Sequence, residues 1–406
     1  RRTGERLLTM FTGGGGGFGA TNPGQGAMML ELTKPPAAAD RPVSALDCGK
    51  PVSLVHCCPF ELTTTGEAAS LVLAAGDAHA TLLTVKAAEA GSGPQLHRVD
   101  CALAVAGRVD AAAWGEAAGQ LQLVTIGPAA AALHVIGDEP GRARRLAVPA
   151  LHAEAAEGVT AVPRGALRRV HAACLVRETL ALTGDDCRAH FVPLAPASAT
   201  DLGLRQHSAP PPPRSLALGA PGVAMRTHPM EPHHVMVADE GRLLFVDLRA
   251  PDHLPSLSRE LPPAPYSDGY ALRDADWCPA DANLVGGVLS SGKWVAWDLR
   301  QGGEVQGGEA HADGGLSFAW APTGRLFATT GRLGDVAVHT VTPGSVAGMG
   351  DYSRWTVPSQ PLSHGMPTRT AALSWARGGA AAASNALVGA CDTKVCVWSV
   401  AANTVG

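Results

Sequence analysis

Residues that could do chemistry are few in this chain. The glycine run at residues 13–17, followed by Phe18 and Gly19, is the one segment that invites comparison with a phosphate-binding loop. It lacks the Lys-Ser/Thr pair that would reach phosphate and magnesium, and no helical pattern follows it. We interpret it as a low-complexity segment, and its single Phe-Gly pair is too little for a phenylalanine-glycine repeat domain.

Histidines and cysteines are scattered along the chain rather than clustered. Only His233 and His234 are adjacent among 15 His, and the nine Cys show no paired Cys-x-x-Cys spacing, which favours a reducing compartment. A zinc site needs three or four convergent ligands, and no local cluster supplies them. There is also no Gly-x-Ser-x-Gly elbow or His-Glu-x-x-His motif. The sequence therefore predicts no enzyme, no metal and no cofactor, with catalysis by residues distant in sequence left open.

Composition limits the classes of partner. In 406 residues, Lys and Arg number 32 against 36 Asp and Glu, so the net charge of -4 offers no basic excess for a phosphate backbone. We expect no direct nucleic-acid binding. No run of about 18 apolar residues exists, so we expect no transmembrane segment. The first residue is Arg1 rather than Met, which leaves open whether the amino terminus is complete.

Four segments could contact partners. Arginines gather at residues 142–145 and 164–169, where they could face an acidic partner or simply line solvated loops. Proline-rich stretches at residues 210–213 and 261–266 could be polyproline II ligands or stiff surface loops.

Internal repetition is the strongest signal in the sequence. A pattern of strand, turn, strand, turn, strand recurs about every fifty residues, with aligned first-strand positions at Cys57, Trp114, Cys174, Thr227, Trp277, Trp320 and Trp375. The last strand of each copy gives a second register at Val85, Val135, Val192, Val246, Trp297, His339 and Trp398. Six positions before it, five copies carry Asp186, Glu240, Ser291, Leu333 and Asp392 as turn residues. A lone meander cannot bury both faces, so stacking in a circle is favoured.

We therefore predict an all-β fold, a seven-bladed WD40-type β-propeller over residues 45–400. Residues 1–44 are expected to be a flexible Gly/Pro-rich segment, with Pro-rich loops near 196–214 and 250–270. The residues that we assign to the structural signature of the propeller are Trp114, Asp186, Asp247, Trp277, Trp297, Asp298, Trp320, Trp375, Asp392 and Trp398. The Trp residues are expected to pack between blades.

The repeat sequences also resemble a family. Residues 276–279 (Asp-Trp-Cys-Pro), 284–288 and 294–299 (Trp-Val-Ala-Trp-Asp-Leu) resemble the fifth-blade region of the thirty-seven-kilodalton WD-repeat nucleoporin family, from the Y-shaped outer-ring complex of the nuclear pore. Residues 326–331, Leu-Phe-Ala-Thr-Thr-Gly, are nearly identical to that family's sequence. Weaker similarity covers most of residues 45–400. The resemblance departs at the WD-repeat network: the last unit offers His364, Asp392 and Trp398, but Gly389 where a hydroxyl is expected.

The resemblance implies a non-catalytic scaffold subunit at the nuclear envelope. Its partner would be the large propeller-solenoid nucleoporin of the Y complex and, through it, other outer-ring nucleoporins, in support of pore assembly and of mRNA and protein transport. The matched residues belong to the core, so they do not identify the binding surface. The alternative is a generic WD-repeat adaptor, such as a ubiquitin-ligase substrate receptor or chromatin reader, because Asp247-Leu-Arg249 and Asp298-Leu-Arg300 resemble the Trp-Asp-x-Arg signature of ligase receptors.

Overall fold

Seven sheets form the described structure, six with four strands and one with five. This computed structural model describes residues 44–60, 62–64, 67–86, 94–103, 105, 107–117, 119–128, 130–136, 143–146, 167–194, 213–250, 255–260, 270–300, 304–340, 355–357, 372–377 and 385–400. All pairing within each sheet is antiparallel. No helix occurs in these described ranges.

Each blade is a meander whose first strand lies innermost. Blade one contains β2 (Val52–Cys57), β4 (Glu67–Gly76), β5 (His79–Lys86) and β6 (Gln95–Ala102), with β3 (Leu62–Thr64) added beside β4. Blade two contains β7 (Ala111–Ala117), β8 (Gln120–Ile126), β9 (Ala131–Ile136) and β10 (Ala143–Leu146). Blade three contains β11 (Val170–Val176), β12 (Thr179–Gly184), β13 (Arg188–Pro193) and β14 (Arg214–Ala217).

The remaining blades follow the same order. Blade four contains β15 (Gly222–Thr227), β16 (His234–Asp239), β17 (Arg242–Asp247) and β18 (Pro255–Glu260). Blade five contains β19 (Leu272–Trp277), β20 (Leu284–Leu289), β21 (Lys293–Asp298) and β22 (Glu304–Glu309). Blade six contains β23 (Gly315–Trp320), β24 (Leu326–Gly331), β25 (Val336–Thr340) and β26 (Trp355–Val357). Blade seven contains β27 (Leu373–Trp375), β28 (Ala386–Cys391) and β29 (Lys394–Ser399). The predicted seven-bladed β-propeller is confirmed.

The ring is closed by an amino-terminal strand that joins the last blade. The outermost strand of blade seven is β1 (Ser44–Asp47), which pairs antiparallel with β29 so that Ser44 lies opposite Val397 and Asp47 opposite Lys394. Edge strands are prone to pairing with other chains, and the pairing of β1 with β29 covers one exposed edge of each strand. The sequence analysis predicted where the propeller starts but did not predict this pairing.

The core lies between the blades rather than at the centre of the ring. Seven apolar clusters are present, one at each boundary between neighbouring blades. At the boundary of blades five and six, for example, Trp294, Phe318, Trp320 and Phe327 are almost fully buried together. Because every sheet has an apolar cluster on each side, no blade could bury its surface alone.

Turn geometry explains part of the glycine content. Gly292, between β20 and β21, has a φ of 88°, and a Cβ there would lie 1.9 Å from the carbonyl oxygen of His311. Only glycine fits both demands.

The strand pairing corrects three predicted register positions. Leu175, not Cys174, takes the place equivalent to Trp277, because Leu175 pairs with Leu180 and Leu180 with Val192. In the third strand, the equivalent of Trp297 is His134 rather than Val135 in blade two. It is Leu83 rather than Val85 in blade one. These blades lack a Trp in one or both positions, so the sequence offered little to fix their register.

The predicted tail and loops are described only in part. Residues 1–43 lie outside the described residues, as do 137–142, 147–166, 195–212, 251–254 and 261–269. These ranges contain Arg142, Arg164, the second proline run and all of the first run except Pro213. Within the loop predicted near 250–270, residues 255–260 instead form β18, the outer strand of blade four. Pro255 is tolerated there because it starts an edge strand.

Candidate interaction surfaces

A channel runs along the axis of the ring, lined by the first strands of all seven blades, with a volume of about 510 Å³. Among the described residues, the charged groups on its wall concentrate on blades four to seven: Arg226, Glu240, Arg273, Asp274, Asp276 and Arg377. Blades two and three contribute mainly small side chains, such as Ala112, Ala113, Ala172, Ala173 and Cys174. Asp110 and Arg169 also line the channel at blades two and three, so the charged groups are more numerous on blades four to seven but are not confined to them.

Two acidic side chains of the channel, Asp274 and Asp276, are already engaged. The Arg226 guanidinium lies 2.9 Å from one carboxylate oxygen of Asp274 and 3.8 Å from Asp276. The other oxygen of Asp274 accepts hydrogen bonds from the Ser317 hydroxyl and the Phe318 backbone, both at 3.0 Å. Burial raises the pKa of Asp274, and Arg226 opposes that shift. These contacts tie blades four, five and six together.

His56 on β2 is held neutral. Enclosure in the channel wall, with the nearby charges of Arg226 and Arg377, lowers its pKa to about 3. A neutral imidazole could accept a proton, but a pKa near 3 makes it a very weak base at neutral pH. Burial also raises the pKa of Cys57 and of Cys174 to about 12, so neither thiol on the inner strands is an activated nucleophile. In the described part of the chain, no three His, Cys, Asp or Glu residues converge as metal ligands.

Blade six contains a His, Thr and Asp network of the WD-repeat type with His339 in place of the Trp, which the sequence analysis did not predict. His311, just before β23, places Nδ1 2.5 Å from Asp335 and Nε2 2.9 Å from the hydroxyl of Thr329. His339 lies 3.5 Å from the same hydroxyl, in the third-strand register position that Trp occupies in blades five and seven. His311 is fully buried, so the network joins the loop entering the blade to the turn between its second and third strands.

Similar polar contacts recur in three other blades. In blade three Asp185 accepts hydrogen bonds from the backbone of Arg168 and Arg169, at 3.0 and 3.1 Å. In blade four Asp239 accepts one from Gly219, at 3.0 Å, and in blade five Ser290 accepts one from Ala271, at 3.2 Å. Each of these three side chains precedes by one residue the turn position predicted from sequence, Asp186, Glu240 or Ser291. In blade six, the acid is Asp335, two residues after Leu333.

The predicted signature Trp residues lie at blade boundaries. Trp114, Trp277, Trp297, Trp320, Trp375 and Trp398 are all at most 4% exposed. Two of them make the same inter-blade bond: Trp114 Nε1 donates to the His56 carbonyl at 3.1 Å, and Trp375 Nε1 donates to the Ala319 carbonyl at 3.0 Å.

The predicted signature Asp residues do not form one group. Asp186 binds within its own turn, where it lies 2.6 Å from His190. Asp392 is a turn residue with a φ of 55°, and its carbonyl accepts a hydrogen bond from Val52 of blade one. Asp247 and Asp298 end the third strands of blades four and five. The structure therefore brings none of these carboxylates together in a site.

Asp247 and Asp298 anchor two exposed arginines. Arg300 contacts both carboxylate oxygens of Asp298, each at 2.8 Å, and Arg249 contacts Asp247 at 2.8 Å through Nη2 and 3.0 Å through Nε. Arg249 lowers the pKa of Asp247 to about 2. Both pairs lie on one face of the ring, formed by the connections from first to second strand and from third to fourth strand. We call this the loop face and the opposite one the turn face.

Only two large apolar side chains among the described residues are prominently exposed, and they lie on opposite faces. Met230 on the loop face is 73% exposed, and Leu333 on the turn face is 53% exposed. No helix in the described residues is long and apolar enough to cross a membrane.

Comparisons with known proteins support the fold. No protein-family model matches the sequence, and no curated protein matches it. In contrast, 1482 chains of solved structures match the fold, so the fold alone does not select a function. One of them, from the "Crystal Structure of Mitotic Checkpoint Complex", is 12% identical with a TM-score of 0.56, and the match covers 93% of this chain and 99% of that one. Together with the seven blades, this similarity assigns the chain the fold of a seven-bladed WD40-type β-propeller.

Proposed function

We propose that this protein is a non-catalytic interaction scaffold and, more specifically, a subunit of the outer-ring Y complex of the nuclear pore. The observation behind the specific assignment is the resemblance of residues 326–331 and 276–299 to the small WD-repeat nucleoporin family. These residues form β24 and most of blade five, so they report family resemblance through the core.

Rigidity supports the role of a scaffold. Seven inter-blade clusters, the closing pair of β1 and β29, and the Arg226 network hold the loops on a fixed frame. A preorganised surface binds a partner with little ordering cost. The partner we propose is the large propeller-solenoid nucleoporin of the Y complex, which would place this protein at the nuclear envelope.

Affinity purification of the tagged full chain from nuclear envelopes tests this assignment. We expect co-purification of outer-ring nucleoporins and staining of the nuclear rim. Recovery of cullin-ligase adaptors, with no outer-ring nucleoporins and no rim staining, would contradict the nuclear pore assignment.

A second candidate is an adaptor of another complex, such as a ubiquitin-ligase substrate receptor or a chromatin reader. The observation in its favour is the pair of Asp-Leu-Arg segments on the loop face, whose arginines are held by Asp247 and Asp298. This candidate predicts that ligase adaptors co-purify with the wild type and are lost from the Arg249→Gln, Arg300→Gln double variant. Co-purification of outer-ring nucleoporins instead would contradict it.

A further inference from the structure

We propose that His228 makes one loop of the loop face sensitive to pH: its neutral ring closes the loop of residues 228–234, between β15 and β16, and protonation of the ring opens the loop. The inference depends on how this loop is held and not on the proposed function. His228 directly follows Thr227, the last residue of β15, so its ring lies where the inner strand of blade four leaves the sheet.

The Nδ1 atom of His228 accepts two backbone hydrogen bonds within the loop. The N–H of Met230 donates at 3.1 Å and the N–H of Glu231 donates at 2.8 Å. A backbone N–H only donates, so Nδ1 carries its lone pair and the proton of the neutral ring is on Nε2. The ring therefore does what the side-chain oxygen of Asn does in an Asx turn. An imidazolium has an N–H at both nitrogens and accepts neither bond, so a proton on Nδ1 breaks both.

The surroundings of the ring favour its neutral form at neutral pH. The ring packs edge-on against Trp277 of blade five, with 4.6 Å between ring centroids, and lies 6.1 Å from the ring of His234. Burial lowers the pKa of His228, the carboxylate of Glu231 opposes that shift, and the charge of His234 adds to it. The stabilisation of the closed loop is complete above the ordinary value of 6.5 and is lost as the pH falls through the lowered pKa.

Other charged groups hold the far end of the loop rather than its tip. His234 places Nδ1 2.5 Å from Glu231 and Nε2 3.6 Å from Asp247, which in turn binds Arg249 at 2.8 Å. These contacts become charge-assisted when His234 is protonated, so acid strengthens them. The charged residues of the two adjoining inner strands, Arg226 on β15 and Asp274 and Asp276 on β19, line the channel.

Acidification should therefore release residues 229–231 while residue 234 stays attached. The backbone bonds from the His228 N–H to the His234 carbonyl, at 2.9 Å, and from the His234 N–H to the Glu231 carbonyl, at 3.0 Å, do not involve the His228 ring. A partner that contacts this edge of blade four would then meet a different surface at acidic pH than at neutral pH.

Amide exchange at methionine tests the proposal on the full chain. The sequence has eight Met, so labelling with 15N-methionine gives few NMR signals, and Met230→Leu identifies the Met230 amide. Between about pH 7.5 and about pH 4.5, the protection factor of Met230 should fall about five- to tenfold, as expected for loss of one hydrogen bond. The midpoint should lie below 6.5. Met225 on β15 and Met236 on β16 are internal controls and should stay protected.

Two substitutions of His228 separate closure from titration. His228→Asn keeps an acceptor that does not titrate, so Met230 should stay protected across the whole interval. His228→Ala removes the acceptor, so Met230 should be poorly protected already at neutral pH. His234→Gln should leave the transition in place and raise its midpoint, because the charge of His234 no longer disfavours protonation of His228.

Four results would overturn the proposal. They are constant protection of Met230 in the wild type, a transition that persists in His228→Asn, a transition that disappears in His234→Gln, and an equal loss of protection at Met225 and Met236. The last result would show that the blade unfolds as a whole rather than opening at this loop.

Discussion

The carboxylate of Asp276 on blade five accepts a hydrogen bond from the backbone N–H of Trp320 on blade six, at 3.2 Å. Ser374 does the same for Cys57 at the boundary of blades seven and one, where its hydroxyl lies 3.1 Å from the backbone nitrogen. Asp276 and Ser374 each precede the Trp that ends an inner strand. Two different side chains thus accept a hydrogen bond from an inner-strand N–H of the neighbouring blade.

Replacement of Asp276 by Ala should therefore lower the free energy of unfolding by about 1–3 kcal/mol, because the Trp320 N–H loses its acceptor. Asp276→Ser should restore part of the loss, since a hydroxyl suffices at Ser374. Urea unfolding at neutral pH measures the free energy of unfolding of both Asp276 variants. Ser374→Ala removes the corresponding hydrogen bond at the boundary of blades seven and one and should cause a similar loss. A serine variant no more stable than the alanine variant would show that the hydrogen bond is not the important contact.

The buried network of blade six should be the most cooperative polar contact of the propeller. His311→Ala removes a fully buried ring that bonds to both Asp335 and Thr329, and we expect a loss of about 1–3 kcal/mol. In a double-mutant cycle with Asp335→Asn, the coupling should be at least about 0.5 kcal/mol. In His311→Ala, amide hydrogen exchange should accelerate more in β24 and β25 than in the strands of blade two. Equal acceleration in all blades would contradict a local role of the network.

Protonation of His56 should contribute to acid unfolding. Its pKa falls to about 3 in the folded protein, below the ordinary value of 6.5, so the folded state binds fewer protons than the unfolded state. The stabilisation from neutral His56 is complete above pH 6.5 and is lost as the pH falls towards 3. His56→Gln should therefore reduce the loss of stability over this interval, as followed by urea unfolding at several pH values. His97→Gln, at an exposed position, is the control and should leave the pH profile unchanged.

Removal of the Arg226 charge should lower the free energy of unfolding more at neutral pH than at acidic pH. Arg226→Gln leaves Asp274 and Asp276 on the channel wall without their cation, so the variant should be less stable than the wild type at neutral pH. Because burial already raises the pKa of Asp274, this variant should take up a proton there more readily. The difference in stability between variant and wild type should shrink as the pH falls through the titration of Asp274. A constant difference from pH 7 to pH 4 would contradict this account.

Sequence patterns predicted the register of blades four to seven correctly, with Trp marking the repeats in blades five to seven. In blades four to seven, strand pairing places Thr227, Trp277, Trp320 and Trp375 at equivalent positions, as the repeat analysis had aligned them. In blade three no aromatic residue occurs at that position, and a shift of one residue between Cys174 and Leu175 leaves the apolar pattern intact. Alternation alone cannot exclude such an error when both neighbours are buried.

The polar network of blade six was missed for a related reason. His339 takes the register position where a Trp was sought, and Asp335 lies two residues after the expected turn position. A search for a His before the first strand, paired with a Thr in the second, would have found His311 and Thr329. The Arg226 contacts had no local signal at all, because Arg226 and Asp274 lie on different blades and meet only when the ring is formed.

Closure by Ser44–Asp47 also sets an order of events during synthesis. This strand leaves the ribosome before any other strand described here, yet its partner Lys394–Ser399 is made last. At ordinary rates of translation, of about 5–20 residues per second, tens of seconds separate the two. Until then the Ser44–Asp47 strand lacks its partner, and its backbone N–H and C=O groups are open to pairing with other chains.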